Sequence, residues 1–267
     1  MRTSLAMLVA AAAVVFAPAP AHAASVNCAA FVISGNPRTV AGATWTYRST
    51  DQGVAYALEG VLLLPSATSS LPAVVVSHGK GGTPRGYSAT IGRTMVTWGL
   101  AVIATMYTHA PDAEDQGNLP NGGDGASAAN VQRAHKAREL LACVSGVDTA
   151  RVAAHGHSMG AFVTGQTLGT HTGDFRAASH TAGGVGDGPN ATKRAAAQQI
   201  VTPYQLHHGD ADQVVSIALD RALDSILTAN GVTHQFHVYA GYDHAQIAFD
   251  ALMLSRVRSW YQTHGVL

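Results

Sequence analysis

The sequence predicts an α/β fold with a mostly parallel sheet that is covered by helices on both faces. Short apolar segments alternate with helical patterns along most of the 267 residues, and this alternation is typical of parallel strands connected by helices. Hydrophobic residues make up 47% of the chain and charged residues 12%, which suits a large core and excludes a disordered protein. Because we find no internal repeat and no low-complexity linker, we expect one domain over residues 24–267.

The individual elements follow from local patterns. Residues 73–77 read AVVVS, a continuous apolar run that is typical of a strand buried on both faces. Residues 234–239 alternate as a strand does, and residues 127–143 place apolar side chains at helical spacing. Strands are predicted at 44–48, 56–64, 73–77, 100–106, 151–155, 176–182, 204–208 and 234–239. Helices are predicted at 87–98, 127–143, 160–168, 215–230 and 249–264, with a loop at 108–125.

The first 23 residues have the features of a cleaved signal peptide. Arg2 supplies a positive charge, residues 5–17 are almost all apolar, and small residues stand at Ala21 and Ala23, where a signal peptidase reads. A membrane anchor is the alternative, but the run is too short to cross about 30 Å of hydrocarbon. We therefore expect residues 1–23 to be removed and the mature protein to be secreted or periplasmic. No later run reaches transmembrane length.

The two cysteines, Cys28 and Cys143, both follow the predicted signal peptide. In an oxidising compartment such a pair predicts one disulfide, here between the mature N-terminus and the end of a helix. Two separate buried thiols are the alternative. Neither cysteine has the local setting of a nucleophile, so we expect both to be structural.

Charge and histidine content limit the partners. Lys+Arg and Asp+Glu number 16 each, without a basic or acidic block, so neither nucleic acid nor an anionic membrane is expected as a partner. The chain has 14 histidines, but no H-E-x-x-H motif or cysteine–histidine set accompanies them. We expect most of them to be surface or core-lining residues, and we expect no catalytic metal.

A G-x-S-x-G pattern stands at residues 156–160, with Ser158 at its centre. A predicted strand leads into it and a predicted helix leaves it, so the reversal between them strains the backbone at the serine and exposes its hydroxyl. Glycines flank the serine because a Cβ there would collide with the neighbouring chain. The alternative is a tight turn with an incidental serine. The context favours a nucleophile.

A serine nucleophile needs a base, and the base needs an orienting acid, in the chain order serine, acid, histidine for this architecture. His244 follows a strand and a glycine turn and is the best candidate base. Asp212 follows the preceding strand and is the preferred acid, with Asp210 and a loop residue, Asp187, as alternatives. Asp210 could instead bond to the backbone of its own turn. Asp243, adjacent to the histidine, fits a loop carboxylate better.

Hydrolysis through a serine also needs donors for the oxyanion that forms on the substrate. Backbone N–H groups commonly supply them, one from the residue after the serine and one from a loop after an earlier strand. Met159 and Lys80 stand at these places. The glycines around Lys80 allow close approach of a ligand, whereas a phosphate-binding loop is excluded because Gly81 follows the lysine.

The chain resembles the dienelactone-hydrolase-like and polyester-hydrolase-like serine esterases of the α/β-hydrolase superfamily. The resemblance covers about residues 55–264 and rests on VVVSHGKGG (74–82), VDTARVAAHGHSMGA (147–161), HHGDADQVV (207–215) and GYDHAQ (241–246). It implies an eight-stranded sheet, no cofactor, and ester hydrolysis through an acyl-enzyme. It also implies the triad roles for Ser158, Asp212 and His244 and the oxyanion roles for Lys80 and Met159.

The chain departs from the family pattern at three positions, of which Ser158 and Lys80 bear on the substrate and Ala161 on the packing under the serine turn. Cytoplasmic dienelactone hydrolases have a cysteine where Ser158 stands, so their lactone substrate is not carried over. Ala161 stands where the family often has a second glycine, and Lys80 where polyester hydrolases usually have an aromatic residue. The short stretch between 182 and 204 leaves little room for a lid, which favours an open pocket and modest acyl groups.

These observations predict an exported carboxylesterase that acts on small or medium esters. A peptidase or amidase with the same machinery is the nearest alternative, although no second domain to admit peptides is visible. A hydrolase-like binding protein without turnover is the alternative from another class, and the presence of all triad residues in the expected order disfavours it.

Overall fold

The structure, a computed structural model, describes residues 26–110 and 125–267. The predicted signal peptide and most of the predicted loop at 108–125 lie outside these residues. The described part contains a nine-stranded sheet with the strand order β1-β2-β3-β5-β4-β6-β7-β10-β11 and a separate two-stranded ribbon of β8 and β9. The strands are β1 Phe31–Ser34, β2 Ala43–Asp51, β3 Val54–Leu63, β4 Leu71–Ser77, β5 Ala101–Thr105, β6 Val147–His157, β7 Ala177–Thr181, β8 Val185–Gly186, β9 Thr192–Lys193, β10 Tyr204–Gly209 and β11 His234–Tyr239. The helices are α1 Ala89–Thr97, α2 Ala128–Leu140, α3 Met159–Thr170, α4 Arg194–Ala197, α5 Ile217–Ala229 and α6 Ala251–Thr263.

The sheet changes from antiparallel to parallel along its width. β1, β2 and β3 form an antiparallel meander, and β3 pairs antiparallel with β5. From β5 onward every neighbouring pair is parallel, ending with β10 and β11 at the far edge. The predicted α/β fold with a mostly parallel sheet is therefore confirmed, and the order of the elements follows the sequence prediction.

The family resemblance implies eight strands in the large sheet. This number is wrong, because the sheet has nine strands. The additional strand is β1, which has four residues, three of them exposed. Such a short edge strand gives no clear hydrophobic alternation, so pattern analysis misses it. The ribbon of β8 and β9 and the one-turn helix α4 were missed for the same reason, because none of them exceeds four residues.

The core lies on both faces of the sheet. All seven residues of β4 are buried, and successive side chains point to opposite faces, as strand geometry requires. Ala73 and Val75 join one apolar cluster while Val74 and Val76 join the other. The run AVVVS therefore packs into both apolar clusters. This packing fixes the position of β4 and of the loop that follows it.

Cys28 and Cys143 form the expected disulfide, with their Cα atoms 5.3 Å apart. The bond joins a short 3₁₀ turn before β1 to the turn that follows α2. Cys143 packs against the larger apolar cluster. None of the described helices combines the length and the apolar composition of a membrane span.

Candidate active site

Ser158 occupies a sharp turn between β6 and α3. Its backbone has φ 57° and ψ −123°, a left-handed conformation that costs a non-glycine residue energy and that persists only where the surroundings hold it. The Ser158 N–H donates to the carbonyl of Thr181 at 3.0 Å, which ties the turn to β7. The G-x-S-x-G segment therefore forms the strained strand-to-helix reversal that its pattern predicts.

The two glycines of the motif are required by close backbone contacts. A Cβ on Gly156 would lie 2.2 Å from the carbonyl oxygen of Gly160. A Cβ on Gly160 would lie 2.1 Å from the carbonyl oxygen of Ser77. Both distances are far below van der Waals contact, so any side chain at either position would displace the turn that carries Ser158.

Three of the predicted residues form one line of hydrogen bonds. The Ser158 Oγ and His244 Nε2 are 2.9 Å apart, and His244 Nδ1 and Asp212 Oδ2 are 2.7 Å apart. The second carboxylate oxygen of Asp212 accepts the N–H groups of Val214 and Val215 at 2.8 and 2.9 Å. With Oδ1 occupied in this way, Oδ2 remains for the imidazole, so Nδ1–H donates to it and Nε2 can accept the serine proton.

The Asp212 carboxylate is held in its ionised form. Burial alone would raise the pKa of Asp212, but the hydrogen bonds from the Val215 N–H, from His244 and from the Val214 N–H lower it below its ordinary value. An ionised carboxylate can accept a hydrogen bond from the Nδ1–H of His244.

The other aspartates near the site make different contacts. Asp210 Oδ1 accepts the N–H of Gly241 at 2.6 Å and so braces the loop that carries His244, rather than its own turn. Asp243 accepts the N–H groups of Ala245 and Gln246, as expected of a loop carboxylate. Asp187 is exposed. None of the three contacts His244 in the described part of the chain.

The loop after β4 passes directly beside the serine. A Cβ on Gly79 would lie 2.9 Å from the Cβ of Ser158, so only glycine allows this approach. Lys80 follows in an exposed turn, and Met159 is the first residue of α3. Neither N–H group has a hydrogen-bond partner among residues 26–110 and 125–267. Two donors are thus left free near the Ser158 hydroxyl.

Two buried histidines that sequence analysis did not single out stabilise this loop. His78 Nδ1 donates to the carbonyl of Gly79 at 3.0 Å, while its Nε2 accepts the Tyr107 N–H at 3.3 Å. His109 Nε2 donates to the His78 carbonyl at 2.9 Å, and its own carbonyl accepts the Gly81 N–H. Burial, with His109 nearby, lowers the pKa of His78 to about 3, so this support is uncharged. A histidine directly after a buried strand was the available signal.

A cavity of about 350 Å³ opens beside the serine turn. One wall is aromatic: the Tyr87 ring lies 5.4 Å from the rings of both His157 and Phe249. His157 also packs 4.7 Å from the ring of His244, and burial, followed by the proximity of His244, lowers the pKa of His157 to about 3. The cavity is lined by Gly79, Lys80, Gly81, Gly82, Gly86, Tyr87, Thr90, His157, Ala245, Ala248 and Phe249.

A second group of buried ionisable residues lies behind Asp212. Asp220, in the first turn of α5, is fully buried and contacts two imidazoles, His180 Nε2 at 2.7 Å and His208 Nδ1 at 2.6 Å. His208 Nε2 faces the Val215 carbonyl at 2.9 Å and Asp212 Oδ2 at 3.4 Å. The sequence predicts only that most histidines are surface or core-lining residues, and it gives no sign that His208 contacts Asp212.

Three side chains at the far end of α3 come close enough to suggest a metal site. The ligand atoms of His135, His171 and Asp174 lie within 4.8 Å of one another. The two rings are stacked 3.7 Å apart at an angle of 7°, so their nitrogens do not converge on one point as tetrahedral ligands must. His171 follows α3, whose 12 residues span about 18 Å. The group is therefore remote from Ser158.

Comparison with known proteins gives a consistent result. Residues 58–252 match the dienelactone hydrolase family. A cold-adapted esterase from an Arctic intertidal metagenomic library has a TM-score of 0.65 and 19% identity, over 83% of this chain and 95% of that chain. A dienelactone hydrolase-like promiscuous phosphotriesterase from metagenomic libraries has a TM-score of 0.60 and 19% identity, over 89% and 97%. An acylaminoacyl peptidase of Pyrococcus horikoshii has a TM-score of 0.66 and 16% identity, over 88% of this chain and 41% of the peptidase. No curated protein matches the chain. These likenesses establish the α/β-hydrolase fold.

Proposed function

Because the chain belongs to the dienelactone hydrolase family, and is thus an enzyme of the hydrolase class, we propose that it is an exported serine esterase that cleaves small or medium carboxylic esters. The observation that carries the proposal is the hydrogen-bonded line from Ser158 through His244 to Asp212. Ser158 is the nucleophile, His244 the general base and Asp212 the acid that orients it. No cofactor takes part in this scheme.

The reaction has two steps. Ser158 Oγ attacks the ester carbonyl carbon while its proton passes to His244 Nε2, and the imidazolium then donates that proton to the departing alkoxide. The product of this step is an acyl-enzyme and a free alcohol. A water molecule, deprotonated by the same Nε2, attacks the acyl carbon and restores the serine hydroxyl, releasing the carboxylic acid.

The oxyanion of each tetrahedral intermediate needs hydrogen-bond donors that are in place before it forms. The free N–H groups of Lys80 and Met159 suit this role because they flank the serine turn. Removal of one such donor typically costs about 10²–10³-fold in kcat. The histidine network under the loop of Lys80 keeps this donor fixed, so little reorganisation is needed during the reaction.

The cavity supports a substrate of limited size. Its volume of about 350 Å³ lies at the lower end of the range found for small-molecule sites. The segment between β7 and β10 contains only the ribbon of β8 and β9, with two residues in each strand, and the one-turn helix α4, so no large lid is inserted there. Both features favour short acyl groups over the long chains that lipases accept.

The proposed location follows from the N-terminal sequence and the disulfide. Residues 1–23 have the pattern of a signal peptide, and a bridge such as Cys28–Cys143 persists in oxidising compartments. We place the mature enzyme, residues 24–267 acting as one domain, in the periplasm or outside the cell.

A peptidase is the second candidate, favoured by the likeness to the acylaminoacyl peptidase. This chain covers 41% of that protein, so more than half of the peptidase has no counterpart here. Amide bonds also have a poorer leaving group than esters. We therefore expect p-nitroanilides to be cleaved far more slowly than p-nitrophenyl esters of the same acyl group.

The test uses the mature protein with p-nitrophenyl esters of increasing acyl length, the matching p-nitroanilides and a soluble polyester. We expect turnover of short esters, and we expect Ser158→Ala to lower kcat by on the order of 10⁵-fold. Ser225→Ala, at an exposed serine of α5, is the matched control. A fluorophosphonate should label the wild-type protein and the control but not Ser158→Ala. Folded wild-type protein without label or turnover would point to a non-catalytic binding protein instead.

A further inference from the structure

His208 lies between two carboxylates and a carbonyl, at the end of β10. Its Nδ1 is 2.6 Å from Asp220 Oδ2, and its Nε2 is 2.9 Å from the Val215 carbonyl oxygen. A carbonyl oxygen only accepts, and an ionised carboxylate only accepts. Both ring nitrogens must therefore donate, which a neutral imidazole cannot do because it has one N–H. The hydrogen-bond pattern requires an imidazolium.

The alternative is a protonated Asp220 that donates to a neutral ring. The second carboxylate oxygen opposes this, because it faces His180 Nε2 at 2.7 Å, and the first turn of α5 adds the positive end of a helix dipole. Burial alone would raise the pKa of Asp220, but the charge and hydrogen bond of His180, together with those of His208, hold it well below its ordinary value. For His208, burial lowers the pKa, yet the hydrogen bond and charge of Asp220 outweigh this and raise it.

The imidazolium faces the candidate acid. His208 Nε2 and His244 Nδ1 contact the same oxygen, Oδ2 of Asp212, at 3.4 Å and 2.7 Å. In the described part of the chain, Asp220 of α5 and Asp212 of the loop after β10 are the charged groups that act directly on His208. His180 of β7 contacts Asp220, and His244 contacts Asp212, so each of them interacts with His208 by way of a shared carboxylate.

We propose that His208, held by Asp220, is a positioning residue that keeps a positive charge behind Asp212 and so sets the electrostatic environment of the Asp212–His244 pair. This inference rests on the proposed esterase function. A fixed positive charge keeps Asp212 ionised and disfavours a second imidazolium nearby.

The direction and size of the effect follow from the geometry. Removing the charge makes protonation of His244 easier, so the acid limb of the pH profile of kcat/KM moves to higher pH. His208 Nε2 and His244 Nδ1 lie within about 6 Å of each other, because both contact Oδ2 of Asp212. At this distance a unit charge that is partly cancelled by Asp220 shifts a pKa by about 0.5–1 unit. We expect the plateau value of kcat/KM to change by less than about tenfold, because Ser158, His244 and Asp212 are retained.

The experiment measures kcat/KM for a short p-nitrophenyl ester from about pH 5 to about pH 9, with product read at a wavelength insensitive to pH. His208→Gln and Asp220→Asn should each move the acid limb upward by about 0.5–1 unit. The double variant should match Asp220→Asn, because without that carboxylate His208 is neutral and its replacement removes no further charge. The matched controls are His234→Gln and Asp224→Asn, which break a partly exposed His–Asp pair at 3.1 Å that also involves α5.

An unchanged acid limb in folded His208→Gln and Asp220→Asn would overturn the proposal, as would equal shifts in the two controls. Should the variants fail to fold, ¹⁵N NMR of histidine-labelled wild-type protein tests the charge directly. Both ring nitrogens of His208, assigned through the backbone, should remain protonated from about pH 6 to about pH 8, and a signal of the neutral ring at pH 7 would overturn the proposal. Absence of esterase activity in wild-type protein would instead count against the proposed function. The NMR measurement tests the charge of His208 independently, because it requires no activity.

Discussion

Replacement of Asp212 by asparagine should nearly abolish activity without displacing the residue. Oδ1 of Asp212 accepts two N–H groups, from Val214 and Val215, so the amide oxygen of an asparagine must take that position. Its NH₂ group then faces His244 Nδ1, where the native Oδ2 accepts a proton at 2.7 Å. Two donors cannot face each other, so the imidazole changes tautomer and places its proton on Nε2, which can then no longer accept the proton of Ser158.

The expected loss in kcat for Asp212→Asn is about 10⁴-fold, equivalent to about 5 kcal/mol of transition-state stabilisation. Asp210→Asn is the matched control, two residues away in the same loop. Asp210 accepts a single N–H, from Gly241, and an asparagine oxygen can accept it equally well, so we expect a loss of less than about tenfold. The assay is the initial rate of hydrolysis of a short p-nitrophenyl ester at neutral pH, with circular dichroism to verify folding.

The ratio between the two variants decides the assignment. Equal losses, or a larger loss in Asp210→Asn, would mean that Asp212 is not the orienting acid. A wild-type rate in Asp212→Asn would also contradict the tautomer argument, because the backbone donors leave the amide no other orientation.

Three further predictions concern packing and stability. Reduction of the Cys28–Cys143 bond, which spans a sequence separation of 115, should lower the free energy of unfolding by about 2–4 kcal/mol, below the chain-entropy limit of about 5 kcal/mol. Urea unfolding with and without reductant measures this, and an unchanged midpoint after complete thiol alkylation would refute it. Gly160→Ala should lower esterase activity at least about tenfold, because its Cβ would lie 2.1 Å from the Ser77 carbonyl oxygen. The control Gly188→Ala should have wild-type activity, because its Cβ meets nothing within 4 Å. Equal rates in the two variants would contradict the packing argument. Burial lowers the pKa of three imidazoles to about 3: His78, His155 and His157. These rings take up protons below about pH 6.5 in the unfolded chain but not in the folded one. Their contribution should lower the free energy of unfolding by about 4 kcal/mol for each pH unit below 6.5, whereas His208 acts with the opposite sign. Equal urea midpoints at pH 7 and pH 5 would show that the rings are not buried as neutral groups.

The sequence was sufficient for the fold class because β4 and β5 are short, mostly apolar runs. β4 and β5 are buried along their whole length, and such runs are visible without any knowledge of their partners. β1 was not visible, since one buried residue out of four gives no pattern. Strand β6 begins at Val147 rather than at the predicted 151, because its first residues are only partly buried and look like a turn.

The candidate triad could be predicted because its residues follow strand ends in a fixed chain order. The contact of His208 with Asp220 could not, because it depends on how α5 lies over β10. His180 joins the same carboxylate only because β7 and β10 are parallel neighbours. The usable signal was a histidine inside an otherwise buried strand, since such a ring must find a partner.

The position of β11 at the border of the sheet has a consequence for inactivation. β11 pairs with β10 alone in the described sheet, and five of its six residues are at least partly exposed to solvent. The loop that carries His244 therefore depends on a strand with hydrogen bonds on one side only, and such border elements detach at lower denaturant concentrations than central strands. Ester turnover should then disappear while most of the tertiary structure persists, so that loss of function precedes global melting.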